Sequence, residues 1–389
     1  MRSVPPAITP RRDGLRGDRR GMALALTLWV LVIGAAVLTV AVFVGFQEQR
    51  AAGVGRRLYR ALTRAEAGLA DVLSGWTPGV LSRRLPQPFD SVVINGAGTT
   101  GDDDWRGAIH RLGRDLFLVE LTAADAPGAD APQTVAARAR LGWLVHARPV
   151  KVVVSAALST GGPAIVGSGS TLDGRDQPPA DRTDCPPPDS AVPGLAAGAI
   201  TTIGSPRIDG SPPTVARQGG DTGLAVEDQL AFEQLASQAT ITLLGGSWAT
   251  GPLATGTDCD VGSLRNWGDP SSVDGPCSNY LPIVHVTGDL TLTAGQGQGI
   301  LLVDGNLVVS GGYRFFGLIM VRGTLDAGRS GAGATVWGGV AAARTGSETQ
   351  PLTGITVIYS KCMISHALRT SGTLVPLRSR AWKQLFQVS

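Results

Sequence analysis

The residues that could carry hydrolytic chemistry in this 389-residue chain are Asp289, Asp304 and Asp326, in a glycine-rich region of short apolar runs. Cleavage of a glycoside needs two carboxylates that face each other across the scissile bond. All three aspartates fall in or beside predicted turns, where Asp is favoured because its side chain bonds to the nearby backbone. We therefore expect a structural role for them and no enzymatic activity.

Other catalytic and metal-binding patterns do not occur in the sequence. The four histidines stand singly, without the paired spacing of a zinc site, at His110, His146, His285 and His366. No lysine follows a glycine, as a Walker A loop requires, and no GxSxG nucleophile motif is present. The sequence therefore predicts no cofactor and no metal.

One acidic cluster, Asp102, Asp103 and Asp104, leaves a calcium site as an alternative. Calcium needs several oxygens that converge on one point. Three adjacent carboxylates cannot all point the same way, so we expect a solvated loop.

The four cysteines, Cys185, Cys259, Cys277 and Cys362, allow three disulfide connectivities. Cys259 and Cys277 flank a loop rich in glycine and proline, where a bridge would hold a segment with little apolar content. We predict that bridge, and a Cys185 to Cys362 bridge follows only as the remainder. Free buried thiols are the alternative.

A repeated pattern positions most of these residues. Gly-Asp-Leu, Gly-Asn-Leu and Gly-Thr-Leu begin at Gly288, Gly305 and Gly323, and Gly338-Gly339 follows near the next step. Two earlier tripeptides, beginning at Leu172 and Ile208, lie 36 residues apart, which is about twice the step of 17 to 18 residues in that series. A unit of about 18 residues predicts a β-helix-like head over residues 155–389, in which each coil buries its apolar side chains against the next. An evenly spaced β-sandwich is the alternative.

The region before the head, residues 76–154, predicts an antiparallel meander. Residues 105–110 and 116–121 read as a hairpin around a glycine-containing turn. Residues 135–146 and 150–156 read as further strands, separated by Pro149. We expect the apolar segment near the C-terminus, residues 381–386, to pack as a final strand of the head, and residues 222–237 to form a short helix.

An uncharged apolar run, residues 22–46, precedes all of this. As a helix it would span about 37 Å, more than the roughly 30 Å hydrocarbon core of a bilayer. Residues 1–21 carry six arginines and two aspartates, a formal charge of +4, which predicts a cytoplasmic N-terminus. The chain is then a single-pass inner-membrane protein whose remaining residues are exported, where disulfides are permitted.

The same helix is predicted to continue to Gly75. Apolar residues recur at helical steps of three and four, at Val54, Leu58, Leu62, Ala65, Leu69 and Val72. Gly75, with Pro78 and Gly79 after it, ends the pattern. A membrane anchor followed by a separate short helix is the alternative.

The net charge of the sequence argues against nucleic acid as a partner. Of the +3 net charge, the leader, residues 1–21, supplies +4, so residues 22–389 have a net charge of about −1 and no basic excess for nucleic acid. Fifty-three glycines with few aromatic residues are typical of many tight turns between strands.

The basic leader that ends in Arg20-Gly21, the apolar helix directly after it, and the later Ala65-Glu66-Ala67-Gly68-Leu69 segment resemble type IV prepilins. From its start to about Gly75, the chain is most similar to the PilX N-terminal family of pilus assembly proteins. The resemblance implies an α+β fold with a pilin-type helix, and a prepilin peptidase that cleaves between Gly21 and Met22, leaving Met22 as an N-methylated first residue.

One position departs from the major pilins, which have glutamate at the fifth mature residue, where this chain has Leu26. That departure resembles minor, tip-like subunits, including the K pseudopilin of type II secretion. The resemblance therefore implies a structural minor pilin or pseudopilin that acts in assembly, priming or the tip of a filament, with other pilins as partners. The alternative is a membrane-anchored β-helical protein that binds or cleaves carbohydrate.

Overall fold

The computed structural model describes residues 19–85, 87–96, 105–113, 115–125, 137–189, 191–217, 224–327, 333–377 and 382–384. The helices in these ranges are α1 (Arg19–Gly75), α2 (Pro78–Arg84), α3 (Val226–Ala236) and α4 (Lys361–Leu368). The strands are β1 (Ser91–Gly96), β2 (Trp105–Arg111), β3 (Leu116–Asp125), β4 (Ala137–Arg148), β5 (Leu158–Thr160), β6 (Pro163–Gly167), β7 (Thr171–Asp173), β8 (Leu195–Ala197), β9 (Ala199–Ile203), β10 (Arg207–Asp209), β11 (Thr214–Ala216), β12 (Ile241–Thr250), β13 (Ala254–Thr255), β14 (Asp258–Cys259), β15 (Ile283–Val303), β16 (Leu307–Val309), β17 (Arg314–Ala327), β18 (Ala334–Thr345), β19 (Ile355–Tyr359), β20 (Thr373–Pro376) and β21 (Trp382–Gln384).

The fold is mixed α+β, with one long N-terminal helix followed by strands in two main sheets. The chain forms two compact units, residues 1–63 with 124–138 and residues 64–123 with 139–389. Both main sheets lie largely in the second unit.

Helix α1 is continuous over 57 residues, as predicted, and begins three positions before the predicted start at Met22. Its last third is buried on one face, because Ala65, Leu69 and Val72 recur at helical spacing. The short helix α2, which the sequence analysis did not predict, follows at once. It has Pro78 at its first turn, and the backbone N–H of Val80 donates to Thr77 Oγ1 over 3.3 Å.

The smaller main sheet has six strands in the order β1-β2-β3-β4-β20, with β21 also paired to β4. The predicted hairpin is β2 and β3, which pair antiparallel from Trp105 opposite Ala123 to Arg111 opposite Phe117. Along β3 every second residue is buried, as expected of a strand with one face against a core.

Two predictions for this region are wrong. Residues 151–155 form no strand. The C-terminal strands β20 and β21 pair antiparallel with β4, so they belong to the meander sheet and not to the head. The predicted boundary between the meander and the head, after residue 154, therefore places these two strands in the wrong region. Their pairing with β4 joins segments that are far apart in the sequence.

The larger sheet has 13 strands, which pair in parallel. The predicted repeats stack on one another: Leu290 lies opposite Leu307, and Leu307 lies opposite Leu325. All three leucines are buried, so the nearly constant spacing of the repeats places equivalent side chains above one another in the core.

The order of the coils differs from a simple sequential winding. Strand β7 pairs with both β10 and β19, so the first coil of the head lies in the middle of the stack. The chain moves outward to β8–β11 and returns at the opposite end of the sheet with β12, beside β15. Strands β15, β17, β18 and β19 then lead back to the first coil.

Glycines form a column where neighbouring strands approach closely. Gly299, Gly317 and Gly338 are in register and have positive φ angles of 100°, 138° and 142°. A Cβ atom on Gly338 would lie 1.8 Å from the carbonyl oxygen of Gly317. The spacing predicted that Gly338 would follow Gly323 in the Gly-x-Leu series. In the structure Gly338 instead lies opposite Gly317, so it belongs to this glycine column.

Candidate functional site

The N-terminal part of α1 is the first candidate site. From residue 24 to residue 46 every residue is exposed apart from the half-buried Gly45, with Leu26 63% and Phe46 61% exposed. The helix is long and apolar enough to cross a membrane. Its two hydroxyls, on Thr27 and Thr39, donate to the helix carbonyls of Leu24 and Ala35, so neither needs water.

The residues of the predicted processing site lie inside α1, which already includes Gly21 and Met22. Leu26 occupies the position one helical turn after Met22. Residues 22–46 carry no ionisable side chain, so transfer of this segment between apolar surroundings buries no side-chain charge.

The Ala-Glu-Ala-Gly segment has a packing role at the other end of the helix. A Cβ atom on Gly68 would lie 2.8 Å from the ring of Trp105, and one on Gly96 would lie 2.3 Å from the same ring. Trp105 therefore fills the space between two glycines. Its Nε1 donates to Asp71 Oδ2 over 3.4 Å, which ties β2 to α1.

The aspartates considered for hydrolysis make structural contacts. Asp289 Oδ1 accepts hydrogen bonds from the backbone N–H and the side chain of Asn306, at 2.7 and 3.1 Å. Asn306 Oδ1 in turn accepts from the backbone N–H of Thr324 over 2.8 Å. Asp326 Oδ1 accepts from the N–H of Ala327 over 2.8 Å. Successive Gly-x-Leu segments are thus linked by their variable residue, although the segments that begin at Gly288 and Gly323 lie inside strands β15 and β17 and not in the predicted turns.

Asp304 belongs to a separate cluster on the parallel sheet. Its carboxylate contacts His285 Nε2 and Arg322 Nη1, each at 3.0 Å. Arg322 also pairs with Glu233 of α3, and its guanidinium lies 4.1 Å from the centre of the Phe232 ring. These contacts hold α3 against the sheet. Local sequence patterns do not predict these contacts, although His285, Asp304 and Arg322 follow one another at steps close to the repeat.

The remaining histidines lie apart. His110 is on β2 and His146 on β4, while buried His366 on α4 has Nδ1 3.6 Å from Asp184 and 3.2 Å from Arg182. Among the residues that the structure describes, no group of three or more His, Cys, Asp or Glu could hold a metal ion. The predicted loop with Asp102, Asp103 and Asp104 lies outside those residues.

The structure has two disulfides, Cys259–Cys277 and Cys185–Cys362. The first encloses Asn266, whose Nδ2 donates to the carbonyls of Leu253 and Asp260 at 2.9 and 2.7 Å. The loop is therefore organised around a buried amide as well as a bridge. The second disulfide joins the proline-rich segment after Asp184 to α4.

Charged residues also meet where the predicted repeats at Leu172 and Ile208 stack on each other. Asp173 is opposite Asp209, and Arg175 pairs with both carboxylates. Hydrogen bonds from Arg175 hold the pKa of Asp173 below its usual range. Arg175 therefore offsets the repulsion that a parallel stack of like charges creates.

A cavity of about 440 Å³ lies beside the start of β20. Its lining is mixed and includes Arg148, Lys151, Gln234 and Gln238. Among the described residues that line it there is no carboxylate and no histidine.

Comparison with known proteins adds little to this geometry. No family model and no curated protein matches the chain. Among solved structures, it is similar to the competence-associated pilin ComZ from Thermus thermophilus, with 12% sequence identity and a TM-score of 0.22. That similarity covers 85% of this chain and 98% of ComZ. A TM-score this low supports no conclusion about function.

Proposed function

We propose that the chain is a pilin-like structural subunit of a type IV pilus-like filament, of the minor pilin or pseudopilin kind. The observation that supports this most directly is the division of α1 into two parts. The exposed half has no ionisable residue between positions 22 and 46, whereas in the last turns Ala65 and Leu69 are buried and Gly68 lies against the Trp105 ring of the antiparallel sheet. A helix of this kind can leave a bilayer and join other apolar helices while its packed end stays on the sheet.

The proposal includes processing by a prepilin peptidase. Cleavage between Gly21 and Met22 would remove the arginine-rich leader on the cytoplasmic side, and N-methylation would follow on Met22. The chain would begin as a single-pass inner-membrane protein with an exported C-terminal part, and would pass from there into the filament.

Leu26 supports a minor position in that filament. The resemblance to type IV prepilins implies that a glutamate at this position pairs with the N-terminal amine of a neighbouring subunit, and Leu26 cannot form that pair. The part of the chain after α1, which is most of its length, would also crowd a regular lattice. An initiating or tip position accommodates both features, and other pilins are the expected partners.

Mass spectrometry of the mature N-terminus tests the proposal. We expect a chain that begins at N-methylated Met22 in cells with prepilin peptidase, and an uncut chain in cells without it. Replacing Gly21 by a larger residue should block cleavage. An intact leader in cells with active peptidase would overturn the filament role and leave the membrane-anchored carbohydrate protein as the alternative.

A further inference from the structure

Four arginines occupy one side of α1 between its apolar part and its packed end. They are Arg50, Arg56, Arg57 and Arg60. At about 100° of rotation per residue they fall within an arc of about 120°. Glu48, the one acidic residue in positions 47–63, lies outside that arc. The arc is therefore a surface with a single sign of charge, which we call the arginine face.

The arginine face has no compensating carboxylates within the described residues. Arg50, Arg56 and Arg60 are exposed and Arg57 is half-buried. Arg56 Nε donates to the backbone carbonyl of Ala52 over 3.4 Å, and none of the four makes an ion pair with a described residue. Because like charges one turn apart destabilise a helix, an external anion would relieve this repulsion.

A second copy of this chain does not suit the arginine face, because a two-fold contact would bring the same four cations together and residues 22–63 of α1 offer only one carboxylate, Glu48. Anionic headgroups also fit poorly. Arg50 follows Phe46 by one turn, about 6 Å along the helix, but Arg56 to Arg60 lie about 15 to 21 Å beyond it. The headgroup layer is only about 5 to 8 Å thick on each side. Three of the four arginines would therefore lie past the headgroups of the bilayer.

We propose that the arginine face binds the acidic face of a helix in a different subunit of the filament. This inference rests on the proposed function and names the chemistry of the partner. A guanidinium binds a carboxylate through two parallel hydrogen bonds, and Arg56 and Arg60 lie one turn apart. A partner helix with carboxylates at positions i and i+4 can meet both at once.

The test uses the full chain in neutral detergent and a fluorescent helical peptide with glutamates one turn apart along one face. A length of about 20 residues, or about 30 Å of helix, covers the whole arginine face. A peptide with glutamine at those positions is the control ligand. We expect binding that weakens with salt, and at least tenfold weaker binding by the double variant R56E/R60E. The control variant R106E/R265E changes the net charge equally at two exposed arginines of the second unit and should bind like the natural chain.

Equal loss in both double variants, or unchanged binding by R56E/R60E, would overturn the proposal. Displacement of the peptide by phosphatidylglycerol added to the micelles would assign the face to lipid headgroups and also overturn it. Whether the leader has been removed from the chain distinguishes a failure of this proposal from a failure of the proposed filament role. Arginine-dependent binding by a chain with an intact leader would refute the filament role alone, whereas a processed chain that does not bind would refute the arginine face alone.

Discussion

At Gly68, α1 comes so close to β2 that the ring of Trp105 leaves no room for a side chain. Ala65 and Leu69 on the same helix face are buried, and Asp71 accepts the hydrogen bond from the indole of Trp105. The glycine in the Ala-Glu-Ala-Gly segment is therefore required by packing at this point. Sequence resemblance alone gave no reason for it.

Replacing Gly68 with alanine should destabilise the protein by about 1 to 3 kcal/mol, because the new Cβ atom would overlap a buried ring that cannot move freely. Gly55 is the matched control, since it lies on the same helix with no atom within 4 Å of the added Cβ. Gly55→Ala should leave the protein as stable or raise its stability by up to about 1 kcal/mol. Thermal denaturation followed by tryptophan fluorescence measures both, and equal midpoints would contradict the packing account.

The absence of a carboxylate at Leu26 leads to a prediction about filament assembly. If the missing carboxylate keeps this subunit out of the filament shaft, Leu26→Glu should increase its amount in sheared filaments. Quantitative immunoblotting of filament and membrane fractions measures the change, and Leu26→Gln controls for polarity without charge. If the glutamate variant were as scarce in sheared filaments as the natural chain, the explanation based on Leu26 would be contradicted.

The elements of the head are held in register by the columns in which equivalent residues stack. Leucines at 290, 307 and 325 form the buried column. The residues before them are also linked, because the N–H of Asn306 donates to Asp289 and the N–H of Thr324 donates to Asn306. A second column consists of glycines where the strands bend. Because successive coils contribute one residue to each column, a bulky residue in one coil affects its neighbours.

Gly317 is the central member of the glycine column and should tolerate no side chain. Alanine there would place Cβ 2.0 Å from the carbonyl oxygen of Gly299, at a φ of 138° that alanine rarely adopts. We expect a loss of about 3 kcal/mol or more in unfolding free energy. Gly246, with a comparable φ of 147° and no atom nearer than 3.7 Å to its added Cβ, separates the two causes. Gly246→Ala should carry only the backbone strain, about 1 to 3 kcal/mol, and similar urea denaturation curves for both variants would show that close approach is not the cause.

Over the whole molecule, the order of coils is set by contacts between distant parts of the chain. The first coil of the head is covered on one side by β10 and on the other by β19, which comes near the end of the chain. The Cys185–Cys362 disulfide also joins distant segments, with a separation of 177 residues. The Cys259–Cys277 bridge spans only 18 residues and holds one loop.

Removal of the two disulfides should therefore have unequal effects. In the chain-entropy account, a loop of 18 residues stabilises the fold by about 3 kcal/mol and one of 177 residues by about 5 kcal/mol. We expect C185S/C362S to lower the denaturation midpoint more than C259S/C277S. Non-reducing peptide mapping first verifies each bridge in the natural chain. The reverse order of stability would show that local strain or packing outweighs loop entropy here.

The features that depend on local periodicity can be predicted from the sequence. The length and continuity of α1 follow from its apolar spacing, the β2–β3 hairpin from alternation around a turn, and the stacking repeat from leucines that recur at a nearly constant interval. Each of these is encoded within a window of one or two elements. Local chemistry also predicted the contact of Asp326 with the N–H of Ala327, but not the contacts of Asp289, whose hydrogen bonds come from Asn306, 17 residues away.

Which distant segments meet depends on tertiary packing and could not be predicted from local patterns. That packing placed β20 and β21 on β4, assigned Gly338 to the column of Gly317, and joined Glu233 to the distant Arg322. Helices α2 and α4 were likewise missed, since helices this short have too few turns to show a period. Strand pairing is made by backbone hydrogen bonds that any sequence of suitable apolar pattern can form. The partner is therefore chosen by the packing of the whole core rather than by the strand's own residues.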